Sequence, residues 1–189
     1  MKNNSTRLRI LLKCSIFAAI TAILAQIEIP LPLIPISGQT LAVGIAATIL
    51  GSRYGALAMI CYAAIGAVGI PVFAGFSGGP QVLVGPSGGY IFGFIAAAFI
   101  TGLILEKTNF SIRMAFLANI AGMFVTLLFG TIQLKIVLDL NWNAAIIAGV
   151  YPFLVVGFIK AYLASWIGIT VRKRLIQAKL ITVTQKKYA

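Results

Sequence analysis

The chain has 189 residues, 60% of them hydrophobic and 10% charged, and a mean hydropathy of +1.04, which excludes an ordinary water-soluble domain. Fifteen Lys and Arg against three acidic residues give a net charge of +12. In a soluble protein that excess points to nucleic acid, but here the basic residues cluster at the ends of apolar runs, as cytoplasmic anchors do beside anionic lipid headgroups.

The first run, 8–27, follows Lys2 and Arg7. It is too long for the apolar region of a signal peptide, has no small-residue cleavage site and is followed by further spans, so it reads as a membrane helix. Cys14 lies in this run and Cys61 in a later one; both read as small buried apolar residues. The connection 28–39, "EIPLPLIPISGQ", carries no positive charge.

Runs 40–51 and 54–69 are short and separated by "GSRYG" at 51–55. Fusing them into one span would bury Arg53 near its middle at a cost of ~2.5–3.5 kcal/mol. A tight turn at Gly51 to Gly55 is the better reading. Six spans then put the N-terminus, Arg53, Lys107, Arg113 and the stretch Arg172 to Lys187 on one side, as the positive-inside rule requires, whereas five would separate the two most basic ends.

Between Arg53 and Glu106 lie 52 residues without a formal charge, and nine of the nineteen glycines fall between Gly66 and Gly93. Close helix packing accounts for Gly66 and Gly93. Gly75, Gly78, Gly79, Gly85, Gly88 and Gly89 stand among prolines and serines outside any periodic pattern. Irregular backbone near a membrane is tolerated where it is buried in protein or lines a cavity, so this segment is expected to fold back over the bundle as an outer cap. Ser87 is expected to N-cap the next helix, 88–105.

The fifth run is 113–138 and the sixth 145–171, joined by "DLNWN" at 139–143. Lys135 lies close enough to the outer end of its helix to snorkel; Trp142 is expected at the outer headgroup level and Trp166 near the inner one. Lys160 differs. It stands twelve residues before Arg172, ~18 Å up the helix, where an ammonium needs a cavity, a ligand anion or an internal partner. Two readings stand: a contact with an internal carbonyl or Asp139, and a ligand anion, which is the expectation adopted here. The sequence has no histidine, no acidic pair, no paired cysteine pattern and no P-loop motif, so no metal site, no cofactor and no acid-base or ATP-hydrolysing chemistry is expected.

"IPLPLIPISGQTLAV", "GALAMICYAAIGAVGIPVFAGFSGGP" and "LVGPSGGYIFGF", in this order and spacing, resemble the biotin-specific substrate-binding subunits, the BioY family, of energy-coupling factor (ECF) vitamin transporters. The resemblance runs from about residue 10 to 172. It implies an all-α integral membrane protein, a single membrane domain over 1–189 with six transmembrane helices, a Gly/Pro-rich outer capping loop, and both termini cytoplasmic in the cell membrane. It further implies biotin as transported ligand, a transmembrane scaffold subunit (EcfT) and two ABC-type ATPases as partners, and no enzymatic activity of the chain itself.

By the same resemblance Gln39, Phe73, Gly78, Gly79, Gly88, Gly89, Tyr90, Gly93 and Lys160 would line the pocket, and Ala18 and Ala22 would dock on the scaffold. The family commonly reads Pro-Gly-Asp before the lysine, where this chain has Val155, Val156 and Gly157. That departure keeps another small vitamin or a biotin precursor open as substrate. A small channel would need a polar or charged pore lining, which the long uncharged stretch does not offer.

Overall fold

A computed structural model describes residues 2–180, with side chains from Leu8 onward. The anchors expected at Lys2, Arg7, Lys186 and Lys187 lie outside those described side chains. Helix α1 spans Lys2–Ala25. Its buried residues Cys14, Ala18, Thr21 and Ala25 recur at the three- and four-residue spacing of one helical face. The connection that follows contains a two-stranded antiparallel ribbon, β1 (Glu28–Ile29) against β2 (Ile36–Ser37). Strands this short leave no mark in the hydropathy pattern.

Helices α2 (Gln39–Leu50) and α3 (Ser52–Ala67) meet at Gly51. Gly51 adopts φ of 83°, a left-handed conformation that costs glycine nothing. The turn is thus a single residue, tighter than the expected 51–55. Residues 68–87 hold a 3-10 turn at Ala74–Phe76 and the five-residue helix α4 at Pro80–Val84. Helices α5 (Gly88–Lys107) and α6 (Ile112–Val137) follow. The Ser111 hydroxyl caps α6 by accepting from the Met114 N–H at 3.3 Å.

The sixth apolar run is not one helix. It breaks at Val150 into α7 (Trp142–Gly149) and α8 (Tyr151–Gln177). Pro152, in the first turn of α8, has no N–H to continue the preceding helix. The Phe153 N–H turns to the Val150 carbonyl at 3.0 Å, and the Gly149 carbonyl accepts the Tyr90 hydroxyl at 2.8 Å instead.

Among the described residues, four stretches are long and apolar enough to cross a membrane: Leu8–Ala25, Gly88–Lys107, Ile112–Val137 and, with α7 and α8 taken together, Trp142–Gln177. Helices α2 and α3, at 12 and 16 residues, reach only ~18 Å and ~24 Å against a hydrocarbon core of ~30 Å. The helices form one bundle, in which α2 touches α8, α5, α3 and α1, and α5 packs most extensively on α6. Large apolar side chains such as Ile16, Ile23, Leu128, Ile136 and Val155 are exposed on its outside, as a lipid-facing surface requires.

At one end the bundle is tied by polar groups. Glu106 accepts the Ser52 N–H at 2.8 Å and the Ser52 hydroxyl at 2.6 Å. Arg172 donates to the Ile49 carbonyl and lies 3.6 Å from the centre of the Phe110 ring. The ends of α2, α5 and α8 are thereby joined around the start of α3.

Candidate binding site

At the other end a cavity of about 210 Å³ opens between α2, α5, α6, α8 and the 70–87 segment. A single water needs only ~10–15 Å³ on this measure, so the space suits a small organic molecule. Its wall is largely apolar, with Phe73, Tyr90, Phe94 and Phe153 among the aromatic contributors and Gln39, Asn119 and Lys160 among the polar ones. Such a wall, apolar with a few convergent polar groups, is typical of a ligand site.

Lys160 donates to the Ser37 carbonyl at 2.6 Å and to the Thr40 hydroxyl at 3.3 Å. The internal carbonyl of the first reading is therefore present, and the ammonium also faces the cavity. Asp139, which sits in a positive-φ turn between α6 and α7, is not its partner. An ammonium carries three donors, so one N–H is left over after these two contacts.

Gln39, at the first turn of α2, is buried in a short relay. Its side-chain oxygen accepts the Ser37 hydroxyl at 2.6 Å, its amide donates to the Tyr62 hydroxyl at 2.6 Å, and Tyr62 donates to the Val72 carbonyl at 2.9 Å. The relay ties α2, α3 and the 70–87 segment together at the wall. Phe73 stacks edge-on against Tyr62 with ring centres 5.5 Å apart. It fits because Gly66 has no side chain: a Cβ there would overlap the Phe73 ring. Tyr90 lies over Gly130 in the same manner and is tethered to Gly149.

The cavity wall thus brings together Gln39, Phe73, Tyr90 and Lys160, and it does not include Gly78, Gly79, Gly88, Gly89 or Gly93. Those glycines are close-approach points behind the wall. A Cβ on Gly93 would stand 3.0 Å from the Thr126 Cα, and one on Gly89 would strike the Phe129 carbonyl, so both belong to the α5–α6 seam. Gly88 fits beneath the Leu83 carbonyl, Gly78 against that of Ile70, and Gly79 has φ of 97°. Ser87 reaches the wall, but its side chain forms no cap on α5; its carbonyl accepts the Tyr90 N–H at 3.1 Å.

Two side-chain amides not singled out from the sequence pin the 70–87 segment. Gln26 donates to the Phe73 carbonyl at 3.1 Å and accepts the Phe76 N–H at 2.9 Å. Gln133 donates to the carbonyls of Leu83 and Gly85, each at 2.8 Å. The third such amide, Asn119, lies in the wall, bonded to Thr48, Ala115 and Ser165. Each of the three is an amide inside an apolar run, a signal in its own right, since a buried amide needs partners.

Gly157 lines the cavity with Met123, whose sulfur fills the place a Cβ at 157 would take. The wall therefore carries no carboxylate at that position. Ala18 is only 1% exposed and Ala22 is packed against the core. Ala18 faces the chain's own interior, because the outward side of α1 carries Leu11, Leu12, Ser15, Ile16 and Ala19. A side chain so enclosed offers no contact to a partner helix. The pair Lys135 and Trp142 forms a cation–π contact at 5.3 Å. Among the described residues, no group of three or more His, Cys, Asp and Glu is placed to hold a metal ion.

This geometry has known counterparts. The chain is 40% identical over 166 residues to a biotin transporter BioY of Thermotoga maritima, covering 88% of this chain and 97% of that one. It is 36% identical over 171 residues to biotin transporter BioY2 of Lactococcus lactis subsp. cremoris, covering 90% and 94% respectively. Its fold superposes on the crystal structure of the S-component for biotin from an ECF-type ABC transporter with a TM-score of 0.82 and 26% identity, over 90% of this chain and 94% of that one. With a family model for BioY matching residues 1–177 and relatives aligned along almost their whole lengths, the chain belongs to the BioY family.

Proposed function

We propose that this chain is the biotin-binding membrane subunit of an ECF-type vitamin transporter and takes biotin into the cavity between α2, α5, α6, α8 and residues 70–87. The observation that carries the assignment is the pairing of a largely apolar wall with the ammonium of Lys160. Biotin has an apolar bicycle, a ureido group and a carboxylate. The bicycle lies among Phe73, Tyr90 and their aromatic neighbours, and the remaining N–H of Lys160 meets the carboxylate as a charge-assisted hydrogen bond. Gln39 holds the wall beside the lysine. Gly78, Gly79, Gly88, Gly89 and Gly93 act indirectly, by letting the backbone of the covering segment and the α5–α6 seam come close.

Across the membrane, residues 1–189 form a single domain with both termini cytoplasmic in the cell membrane, and residues 70–87 cap the outer side. Six segments cross, with α7 and α8 together making the sixth. Helices α2 and α3 are short spans whose ends are shielded by the ribbon, the cap and the Glu106–Ser52 contact. Energy comes from partners, a scaffold subunit (EcfT) with two ABC-type ATPases, and not from a reaction of this chain. The outward side of α1 remains the docking face, without Ala18.

Purified chain without partners, titrated with labelled biotin, should bind it saturably at one site per chain. Failure to bind, or displacement of the label by unrelated vitamins as readily as by biotin, would contradict the assignment. A biotin precursor or another small vitamin is the second reading, favoured by the methionine-filled position at Gly157. Dethiobiotin displacing the label at concentrations below those needed of biotin itself would move the assignment to it.

A further inference from the structure

The deep end of the cavity holds an acceptor that no described residue uses. Asn119, only 6% exposed, spends its side-chain nitrogen on the Ala115 carbonyl at 2.9 Å, the Ser165 hydroxyl at 3.0 Å and the Thr48 hydroxyl at 3.2 Å. The orientation of the amide is fixed by chemistry. The Ala115 carbonyl can only accept, and the Ser165 hydroxyl already donates to the Ala161 carbonyl at 2.6 Å, so both require the nitrogen. The oxygen, Oδ1, is left turned the other way and receives no hydrogen bond from any described residue. It lies against Gly44, and Gly44 and Asn119 both line the cavity.

Glycine at 44 makes room for that oxygen. The oxygen faces Gly44, where a Cβ would stand 2.5 Å from Oδ1 and 2.8 Å from the Ala164 Cβ. Glycine at 44 leaves the gap that any side chain would fill. Helices α2 and α8 run side by side in the same direction here: Thr40 meets Lys160, Gly44 meets Ala164, and Thr48 meets Gly168. The free oxygen at the level of Gly44 therefore lies one helical turn, ~6 Å, beyond the lysine ammonium along α2. The cavity presents a cation nearer its mouth and a neutral acceptor deeper in.

We propose that Asn119 Oδ1 accepts a ureido N–H of the bound ligand and so fixes its polar head at the closed end of the cavity while Lys160 holds the acid tail. This rests on the assignment of the cavity to biotin. It selects for a ligand with an N–H donor at one end and an anion at the other, and it rejects ligands whose head offers only acceptors, because these would leave two oxygens facing each other without a proton between them.

The test compares biotin with two near-isosteric analogues in which one or the other ureido N–H is replaced by a ring oxygen, and with biotin methyl ester, all by equilibrium binding to the purified full chain. In the unmodified chain one of the two oxygen analogues should bind at least about tenfold more weakly than biotin. In Asn119→Ala that difference should vanish, while the penalty for the methyl ester stays. A merely structural role for Asn119 would weaken all ligands alike and leave the oxygen-analogue difference in place, which would overturn the proposal. Should Asn119→Ala not fold, the unmodified chain still decides, since equal binding of biotin and both oxygen analogues overturns the proposal by itself. No binding of biotin to the unmodified chain would overturn both this inference and the functional assignment; biotin binding with both analogues tolerated overturns this inference alone.

Discussion

Lys160 serves the chain and its cavity at once. Two of its hydrogen bonds fix the Ser37 carbonyl and Thr40 at the entrance to α2, and its remaining donor is available to an anion. Its importance was legible in the sequence because a charge that deep in an apolar run is costly wherever it lies. The Asn119 cluster was not, since its partners come from α2, α6 and α8 and only folding brings residues 48, 119 and 165 together. Lys160→Ala should weaken biotin binding about 10- to 100-fold, the range of a charge-assisted hydrogen bond lost, by equilibrium titration; an unchanged affinity would remove the residue from the site. Gly66→Ala should also weaken binding, by forcing the Phe73 ring out of its slot into the cavity, and should do so with little change in the binding of the detergent-solubilised chain to lipid, which the ring does not touch.

At the scale of elements, helix ends marked by charge or glycine were close to their expected places, as at Gly51 and Gly88. The break in the sixth run falls beside Pro152. Apolar composition runs through Val150 unbroken, and hydropathy does not register a lost N–H. The glycine-rich stretch is irregular, but Gly78, Gly79, Gly88, Gly89 and Gly93 stand behind the wall and not in it, because sequence spacing says nothing of which side of a backbone a missing side chain frees. What holds the segment is side-chain amide bonding. Gln133→Leu leaves the carbonyls of Leu83 and Gly85 without their shared donor, and backbone amides at 79–88 should exchange hydrogen faster in this variant than in the unmodified chain. Equal exchange would show that the amide does not restrain the segment. Glu106→Ala removes the acceptor from the Ser52 N–H and hydroxyl and should lower thermal stability by ~1 kcal/mol or more, without altering biotin affinity, since the contact lies at the far end of the bundle.

The whole molecule divides its polar groups between two ends. The Glu106, Ser52 and Arg172 contacts lock one, and the cavity with its covering segment occupies the other. Between them small residues bring α2, α3, α5, α6 and α8 close enough that the bundle needs few large core side chains; Ala42, Ala46, Ala47, Ala58 and Ala98 are fully buried. Membrane class and the run of helices were legible from hydropathy and charge alone. The short lengths of α2 and α3 leave their crossing to be decided by labelling: single cysteines at position 53 should react only from the cytoplasmic side and at position 70 only from the outside.

The most direct measurement is a crystal structure of the chain grown with biotin. The bicycle should lie among Phe73, Tyr90 and Phe153, with the carboxylate within hydrogen-bonding distance of Lys160 Nζ and residues 70–87 closed over it. Biotin bound elsewhere, or its carboxylate in bulk solvent with Lys160 unchanged on the Ser37 carbonyl, would contradict it.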